Sequence, residues 1–445
     1  MSITGLNRSA SSFRRSDGGY IDGRRADILL SVLFLIGLFA QTDRMLPFIM
    51  AESIKEDLSL SDTQVGLLTG IAFAVCYAVF SLPLARVSDR GSPRFVLVSC
   101  ALVWSAMTAL GAFAESFLFL ALTRFGVALG EAGGSPAAHA IIARRIRPER
   151  RGLAIGIFSL SLPFGTMVAF ALGGAITDTH GWRATVLGAG AFGGAVALLM
   201  LFVTGPTPPL DIPASTRAPY LRSSLRLLSS AGFRWLFVGA VVGGFASAPF
   251  YAFAAPFLIR THGYSASQAG LAFGLLQGLM GILGTLVGGR MFDRAVRAGA
   301  KNILGPPGAL FVISSVTMTA ALFVPIGWVS IALLVPTMLA FAFLLPWGFG
   351  AAHFMAGTGK EAMATSLMMI GTGLLGPALG PLIVGMVSDA ASSADISNGL
   401  GLGLLTVPIA SVLCGLAILT ANRRIAGRSV GAEPDLALPA ESERT

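Results

Sequence analysis

The chain has 445 residues, of which 54% are hydrophobic and only 12% are charged. Soluble domains usually carry about 25% charged residues, so this composition excludes an ordinary soluble globular protein. The formal net charge of +9 would suit a nucleic-acid partner, but the placement of the basic residues indicates a different origin.

Apolar stretches of 18 or more residues recur along almost the whole chain, which predicts an all-α, polytopic membrane protein. Twelve spans are predicted, six on each side of a basic, proline-rich segment. The predicted spans cover residues 27–50, 64–87, 95–114, 117–142, 152–177, 183–204, 233–259, 266–290, 303–325, 328–355, 362–388 and 399–422. The predicted order is a tail at 1–26, a six-helix bundle at 27–204, a linker at 205–232, a second bundle at 233–422 and a tail at 423–445. A short surface helix is predicted at 220–230, within the linker.

The basic residues are distributed very unevenly between the two sides of the predicted membrane. Of the 31 Lys and Arg residues, 26 fall on the side that both termini share and three on the other side. Lys and Arg are enriched in cytoplasmic loops, so both termini are predicted to be cytoplasmic in an integral, multi-pass protein of the plasma (inner) membrane. The first 25 residues lack an apolar core, which predicts a tail rather than a cleavable signal peptide. This distribution explains the positive charge without a nucleic-acid partner.

Two charged residues, Arg124 and Glu131, lie inside the fourth predicted span. They are seven positions apart, so on a helix they share one face and lie roughly 10 Å apart. A charge at the bilayer centre costs on the order of 3 kcal/mol or more, so this face is expected to line protein or a wet cavity. The alternative is a structural ion pair that joins two helices.

A second charged pair, Asp43 and Arg44, lies in the first span. About sixteen residues of span precede it, which is roughly 24 Å of helix. The alternative to a buried position is the outer end of the span, where water solvates the charges. We predict that Asp43, Arg44, Arg124 and Glu131 bind substrate or couple it to protons. An arginine would hold an anionic headgroup, and Asp43 or Glu131 would be the protonation switch.

An Asp-Arg pair follows the second span of each half, as Asp89-Arg90 and Asp293-Arg294, with an offset of 204 residues. The repeat predicts two similar six-helix bundles. These turns resemble the loop signature of the major facilitator superfamily (MFS), with Ala85 in place of the usual glycine. The resemblance implies a conformational latch at Asp89, Arg90, Asp293 and Arg294; the alternative is an ordinary interfacial salt bridge.

The segment that runs from Arg124 through Gly130-Glu131-Ala132 to Pro148-Glu-Arg-Arg-Gly152 is similar to the spinster-type branch of that superfamily. Ala128 replaces a glycine that is usual in the branch. Spinster relatives include exporters of sphingosine 1-phosphate and carriers of lysophospholipids. The resemblance therefore implies an amphipathic, lipid-like substrate.

The second half has almost no ionisable residue at mid-depth and many aromatic ones. Phe250, Gln277 and Trp347 are predicted to line a cavity together with Tyr77 of the first half, although aromatic stripes usually pack helices. The motif Gly371-Thr-Gly-Leu-Leu-Gly376 fits a dinucleotide fingerprint by letter, but no strand precedes it. It predicts instead a kinked, tightly packed span 11.

These features predict a proton-coupled secondary transporter with alternating access, which moves a lysophospholipid or sphingoid phosphate. One alternative is a carrier of small organic anions or drugs, and an alternative of another class is a lipid receptor that transports nothing. No nucleophile or metal cluster indicates an enzyme. No cofactor or metal is predicted, protons are the expected coupling ion, and the protein is expected to be a monomer in the lipid bilayer.

Overall fold

The computed structural model describes residues 20–21, 23–203, 220–298, 302–356 and 361–426, and these residues are helical almost throughout. Most of both predicted tails and of the predicted linker lies outside this range. The helices of the first half are α1 (Arg24–Ile49), α2 (Ala51–Leu58), α3 (Asp62–Thr69), α4 (Ile71–Arg90), α5 (Pro93–Gly111), α6 (Phe117–Arg145) and α7 (Pro148–Val203). Those of the second half are α8 (Tyr220–Ser229), α9 (Ala231–His262), α10 (Ala266–Arg297), α11 (Gly305–Phe323), α12 (Gly327–Ala356), α13 (Glu361–Ile370), α14 (Gly376–Ser393), α15 (Gly399–Leu404) and α16 (Thr406–Ala426).

Within the described residues, eleven helices are long and apolar enough to cross a membrane. One of them, Arg150–Val203, contains both the fifth and the sixth predicted span. The two spans separate at Gly181, whose φ of 80° breaks the helix in a conformation that glycine adopts without strain. The all-helical membrane fold is therefore confirmed, and so is the short helix predicted near 220–230, which is α8.

Polar residues that cap helix ends mark several span boundaries. Ser61 and Gln64 form a reciprocal capping box at the start of α3, and Ser116 accepts a hydrogen bond from the amide of Phe119 at the start of α6. Gly263 ends α9 with a φ of 68°, which is the left-handed conformation of a typical helix C-terminus. These local signals place the turns between spans near the predicted positions.

The described chain divides into two compact units that largely follow the two halves of the sequence. Unit 1 consists of Met1–Leu60, Ala72–Ser215 and Ser265–Gly274, and unit 2 of Ser61–Ile71, Thr216–Tyr264 and Leu275–Thr445. The start of span 2 therefore belongs to the unit built mainly from the second half, and the start of span 8 to the unit built mainly from the first. The bundle boundaries predicted from sequence do not contain this exchange.

The core of unit 1 is formed by apolar faces of spans 1, 3, 4, 5 and 6. Leu33, Leu97, Ile141 and Ile142 are fully buried there, while many leucines and phenylalanines on the outer faces are exposed, as lipid-facing residues are. Gly130 lets span 4 approach span 3, because a Cβ on it would lie 2.7 Å from the backbone nitrogen of Trp104. This close packing fixes the position of the residue that follows it, Glu131.

Span 11, in unit 2, is interrupted by a π-helical turn at Gly371–Leu375, which joins α13 to α14. Just beyond it, a Cβ on Gly376 would overlap the carbonyl oxygen of Val241 and would lie 2.5 Å from the amide nitrogen of Phe245. Both atoms belong to the backbone of span 7 and cannot move aside. The tight packing predicted for span 11 is confirmed.

Candidate functional site

The charged pair of span 1 lies within the last two turns of α1. Pro47 follows Asp43 by four residues and has no N–H, so it cannot donate the usual helical hydrogen bond to the Asp43 carbonyl. Successive residues of a helix point about 100° apart. The side chains of Asp43 and Arg44 consequently reach different neighbours, span 3 for the aspartate and spans 2 and 4 for the arginine.

Arg44 pairs with Glu131 of span 4. Its Nη2 and Nε lie 2.7 Å and 2.9 Å from the same carboxylate oxygen, Oε2. The Glu131 side chain is 1% exposed and that of Arg44 is 34% exposed. The second oxygen of Glu131, Oε1, is buried without a hydrogen-bond partner in the described part of the chain. The ion pair between two helices, which the sequence left open for Arg124 and Glu131, is thus made by Arg44 and Glu131.

Two aromatic rings of span 2 contact the Arg44 guanidinium. Its central carbon lies 5.0 Å from the ring centre of Phe73 and 5.0 Å from that of Tyr77. The two rings are stacked on each other, with centres 5.9 Å apart. A guanidinium over an aromatic face gains about 0.5–2 kcal/mol, more where water is excluded. The structure therefore brings Tyr77, predicted as a cavity residue, into direct contact with the charged cluster.

Asp43 is buried and faces span 3. The hydroxyl of Thr108 lies 2.7 Å from Oδ1 and 2.6 Å from Oδ2 of Asp43. A threonine hydroxyl has one hydrogen, so it donates to only one of these oxygens at a time. The other oxygen is free to hold a proton, which it could in turn donate to the Thr108 oxygen.

Arg124 is half-buried and completes the cluster from span 4. Its guanidinium carbon lies 5.6 Å from the centre of the Phe73 ring, the ring that Arg44 also contacts. The Nε of Arg124 is buried, and no acceptor for it is present among the described residues. A buried donor without an acceptor is costly, so Arg124 is the group in the cluster best prepared to bind an anion.

The other predicted cavity residues lie in unit 2 and are mostly covered. Phe250 is fully buried against Tyr251 and Phe341, and Trp347, 2% exposed, packs edge-on against Phe292. Gln277 is half-buried, and its Oε1 is buried without a partner in the described residues. A cavity-lining role for Phe250, Gln277 and Trp347 stays a prediction, since Phe250 and Trp347 are buried in this structure.

The predicted latch residues stand at the ends of α4 and α10. Asp89 and Arg90 fall in the last turn of α4, but their side chains are outside the description. Asp293 and Arg294 are exposed near the end of α10. The latch function of all four residues stays a prediction.

Sequence reasoning missed two residues that the structure makes prominent. Thr108 looked like one polar residue in an apolar span, and only the fold shows that it faces Asp43. Arg144 looked like a loop charge, but it is 4% exposed and donates to the carbonyl oxygens of Ser88 and Gly91 at the end of α4. Its position directly after an apolar span was the one available signal.

Among the described residues, no group of three or more His, Cys, Asp or Glu side chains could hold a metal ion. Cys76, Cys100 and Cys414 are buried free thiols.

Comparison with known proteins gives consistent matches. The family model described as Major Facilitator Superfamily matches residues 33–381. An MFS-type efflux pump of Mycolicibacterium smegmatis is 32% identical over 88% of this chain and 91% of its own length. A probable sulfoacetate transporter of Cupriavidus necator is 27% identical over 66% of this chain and 73% of its own length.

A solved structure resembles the fold closely. It is a bacterial homologue of the human lysosomal transporter spinster, in an inward-facing and unoccupied conformation. The TM-score is 0.80 at 26% identity, and the match covers 91% of this chain and 99% of that one. The similarity includes both halves of the sequence.

Proposed function

The chain belongs to the Major Facilitator Superfamily as a spinster-like, non-enzymatic transporter, and we propose that it moves an amphipathic, lipid-like anion by alternating access, coupled to protons. The observation that carries the proposal is Arg124, whose buried Nε has no acceptor among the described residues and which interacts electrostatically with the buried carboxyl groups of Asp43 and Glu131. A guanidinium binds phosphate through two parallel hydrogen bonds. A lysophospholipid or sphingoid phosphate supplies such a headgroup.

The carboxyl groups provide the coupling in this proposal. Arg44 occupies Oε2 of Glu131, so Oε1 is the oxygen that takes up a proton. A proton on Oε1 removes the negative charge that attracts Arg44. The ion pair between spans 1 and 4 is therefore weakened. An anion bound at Arg124 lies near the same carboxylate, so substrate and proton influence one another electrostatically. Asp43, held by Thr108, is the second candidate for the coupling proton.

The contrast between the two halves of the sequence supports a substrate with an apolar part. The 204-residue offset that relates the two Asp-Arg turns leads from Asp43 and Arg44 to Ser247 and Ala248 in span 7. One charged half and one apolar half suit a molecule with a polar head and an acyl tail.

A carrier of small organic anions is the second candidate. The relative named for sulfoacetate favours it, since Arg124 would bind a sulfonate or carboxylate as it binds a phosphate. We further propose that the protein works as a monomer without a cofactor, in the inner membrane with both termini cytoplasmic. The 26-to-3 distribution of Lys and Arg supports this orientation.

Proton uptake into proteoliposomes tests the proposal. Purified protein is reconstituted into liposomes that contain a pH-sensitive dye. Lysophospholipids, sphingoid phosphates or small organic anions are then added in turn. Glu131→Gln and Asp43→Asn are measured beside wild type, and Asp57→Asn is the control, because Asp57 is an exposed carboxyl outside the spans. Lipid-dependent proton movement that is lost in Glu131→Gln or Asp43→Asn, and kept in Asp57→Asn, is the expected result.

Other outcomes distinguish the alternatives. Proton movement with small anions alone contradicts the lipid substrate and favours the second candidate. Lipid binding to wild type without any flux favours a receptor. Lipid flux without proton movement contradicts the coupling and leaves the substrate class intact.

A further inference from the structure

The start of span 2 is capped twice within unit 2. Ser61 and Gln64 cap α3 reciprocally, with the Gln64 amide 3.2 Å from Ser61 Oγ and the Ser61 amide 2.9 Å from Gln64 Oε1. In addition, Asp389 of span 11 accepts hydrogen bonds from the amides of Asp62 and Thr63, at 2.9 Å and 2.8 Å. A carboxylate at a helix N-terminus is stabilised by the exposed amides and the helix dipole.

Unit 1 contains the same arrangement at the start of span 8. Ser265 and Gln268 form the reciprocal pair at 3.1 Å and 3.2 Å. Asp178 of span 5 accepts from the amides of Ala266 and Ser267, at 3.1 Å and 2.6 Å. Spans 2 and 8 are related by 204 residues, from Ser61 to Ser265, and spans 5 and 11 by 211 residues, from Asp178 to Asp389.

The backbones beneath both caps approach each other at matching glycines. A Cβ on Gly66 would overlap the carbonyl oxygen of Pro381, and one on Gly270 would overlap that of Phe170. Likewise, a Cβ on Gly385 would overlap the carbonyl of Asp62, and one on Gly174 that of Ala266. The offsets are again 204 and 211 residues. Each contact joins a span of one half of the sequence to a span of the other half.

The two contacts differ in charge. Asp62, 1% exposed, pairs with Arg260 of span 7 through both oxygens, at 2.7 Å and 2.6 Å, and accepts a further hydrogen bond from Ser388 at 2.6 Å. The residue that corresponds to Asp62 in span 8 is Ala266, which has no such side chain. The span 2 contact therefore has a buried, bidentate ion pair that the span 8 contact lacks.

We propose that these two contacts are a matched pair of conformational latches, and that the Asp62–Arg260 ion pair makes the span 2 latch the stronger one. In a transporter with alternating access the two halves of the sequence rearrange, so contacts that join them at one end have to break when that end opens. Each latch combines directional hydrogen bonds with backbone contact, which favours two discrete states over gradual slippage. The latches require alternating access alone, whatever the substrate and the coupling ion.

Distance measurements between spin labels test the latches without any substrate. The labels are placed at matching positions, half-buried Leu67 with exposed Ala390 for the span 2 latch and exposed Leu271 with exposed Thr179 for the span 8 latch, after the three buried cysteines are replaced by alanine. Asp62→Ala copies the span 8 sequence into span 2, and Arg260→Gln removes the other partner. The matched control is Arg183→Ala, which removes an exposed ion pair with Asp57 that is not part of either latch.

Asp62→Ala and Arg260→Gln are each expected to raise the ratio of long to short Leu67–Ala390 distances at least about tenfold, which is a typical coupling between two conformations. The double variant should be no more open than Asp62→Ala, because that change already removes both the ion pair and the hydrogen bond from Ser388. Asp178→Asn should raise the Thr179–Leu271 ratio by a smaller factor. If Asp62→Ala does not fold, Asp62→Asn serves in its place. Unchanged distances in the Asp62 and Arg260 variants, or an equal change in Arg183→Ala, overturn the proposal.

Discussion

The two halves of this transporter share a fold but differ in what occupies their spans. In the first half, four charged residues lie inside spans. Arg44 pairs with Glu131, both Arg44 and Arg124 contact the Phe73 ring, and Asp43 accepts a hydrogen bond from Thr108. In the second half, aromatic and small residues such as Phe250 and Gly376 fill the interior with close apolar and backbone contacts. The two halves therefore share a pseudo-symmetric framework, while the buried charges within spans are concentrated in the first half.

Of the substitutions considered, that of Arg124 should have the largest effect, and the effect should be on transport. Arg124→Ala removes the arginine proposed to bind the anion, and charge-assisted hydrogen bonds are worth about 1.5–3 kcal/mol each, so transport should fall about 100-fold or more. Stability should change little, because Nε of Arg124 has no hydrogen-bond partner to lose in the described part of the chain. Flux in proteoliposomes and thermal unfolding in detergent measure the two effects. Normal transport by Arg124→Ala would show that the anion binds elsewhere.

Two substitutions of Glu131 distinguish the effect of its charge from the effect of its hydrogen bonds with Arg44. Glu131→Ala leaves Arg44 without its acceptor and should lower the unfolding free energy by about 1–3 kcal/mol. Glu131→Gln keeps an acceptor oxygen for Arg44 and should retain most of that stability while proton coupling is lost. Thermal unfolding of the two variants, side by side, checks the difference. Equal destabilisation would mean that charge, rather than hydrogen bonding, holds spans 1 and 4 together.

The sequence predicted the framework well because long apolar stretches and capping residues are local signals. It predicted that Arg124 and Glu131 share a face, but not that Glu131 pairs with Arg44, since partners on different helices depend on how those helices pack. Thr108 could not be identified for the same reason. The exchange of residues 61–71 and 265–274 between units was also out of reach, although the repeated Ser-x-x-Gln-x-Gly and Gly-x-x-x-Asp patterns were visible.

The second half should respond to volume rather than to charge. Gly376→Ala places a methyl group against the backbone of span 7, and overpacking of this kind costs about 1–3 kcal/mol. Gly373→Ala is a matched control in the same span, because a Cβ there meets nothing within 4 Å. The apparent melting temperature should fall for Gly376→Ala and stay near wild type for Gly373→Ala. Similar values for both variants would contradict the tight packing of span 11.

The smallest effect on stability is expected at an exposed ion pair, because water screens the attraction between its charges. Asp57 accepts hydrogen bonds from Arg183 and Trp182, and the hydrogen bond from Arg183 lowers the pKa of Asp57 below its ordinary value of 3.8. Because the folded-state pKa is lowered, the stabilisation is present above the ordinary pKa and disappears as the pH falls through the lowered one.

Asp57→Asn should therefore cost less than about 0.5 kcal/mol at pH 7, since water and salt screen a pair that is two-fifths exposed. The difference from wild type should shrink further as the pH is lowered from 5 to 3. Melting temperatures recorded across this range, at low and at high salt, measure it. A loss of stability comparable to that of Glu131→Ala would mean that an exposed ion pair stabilises this protein as much as the buried one. The buried charges of the first half would then not be distinguished by their contribution to stability.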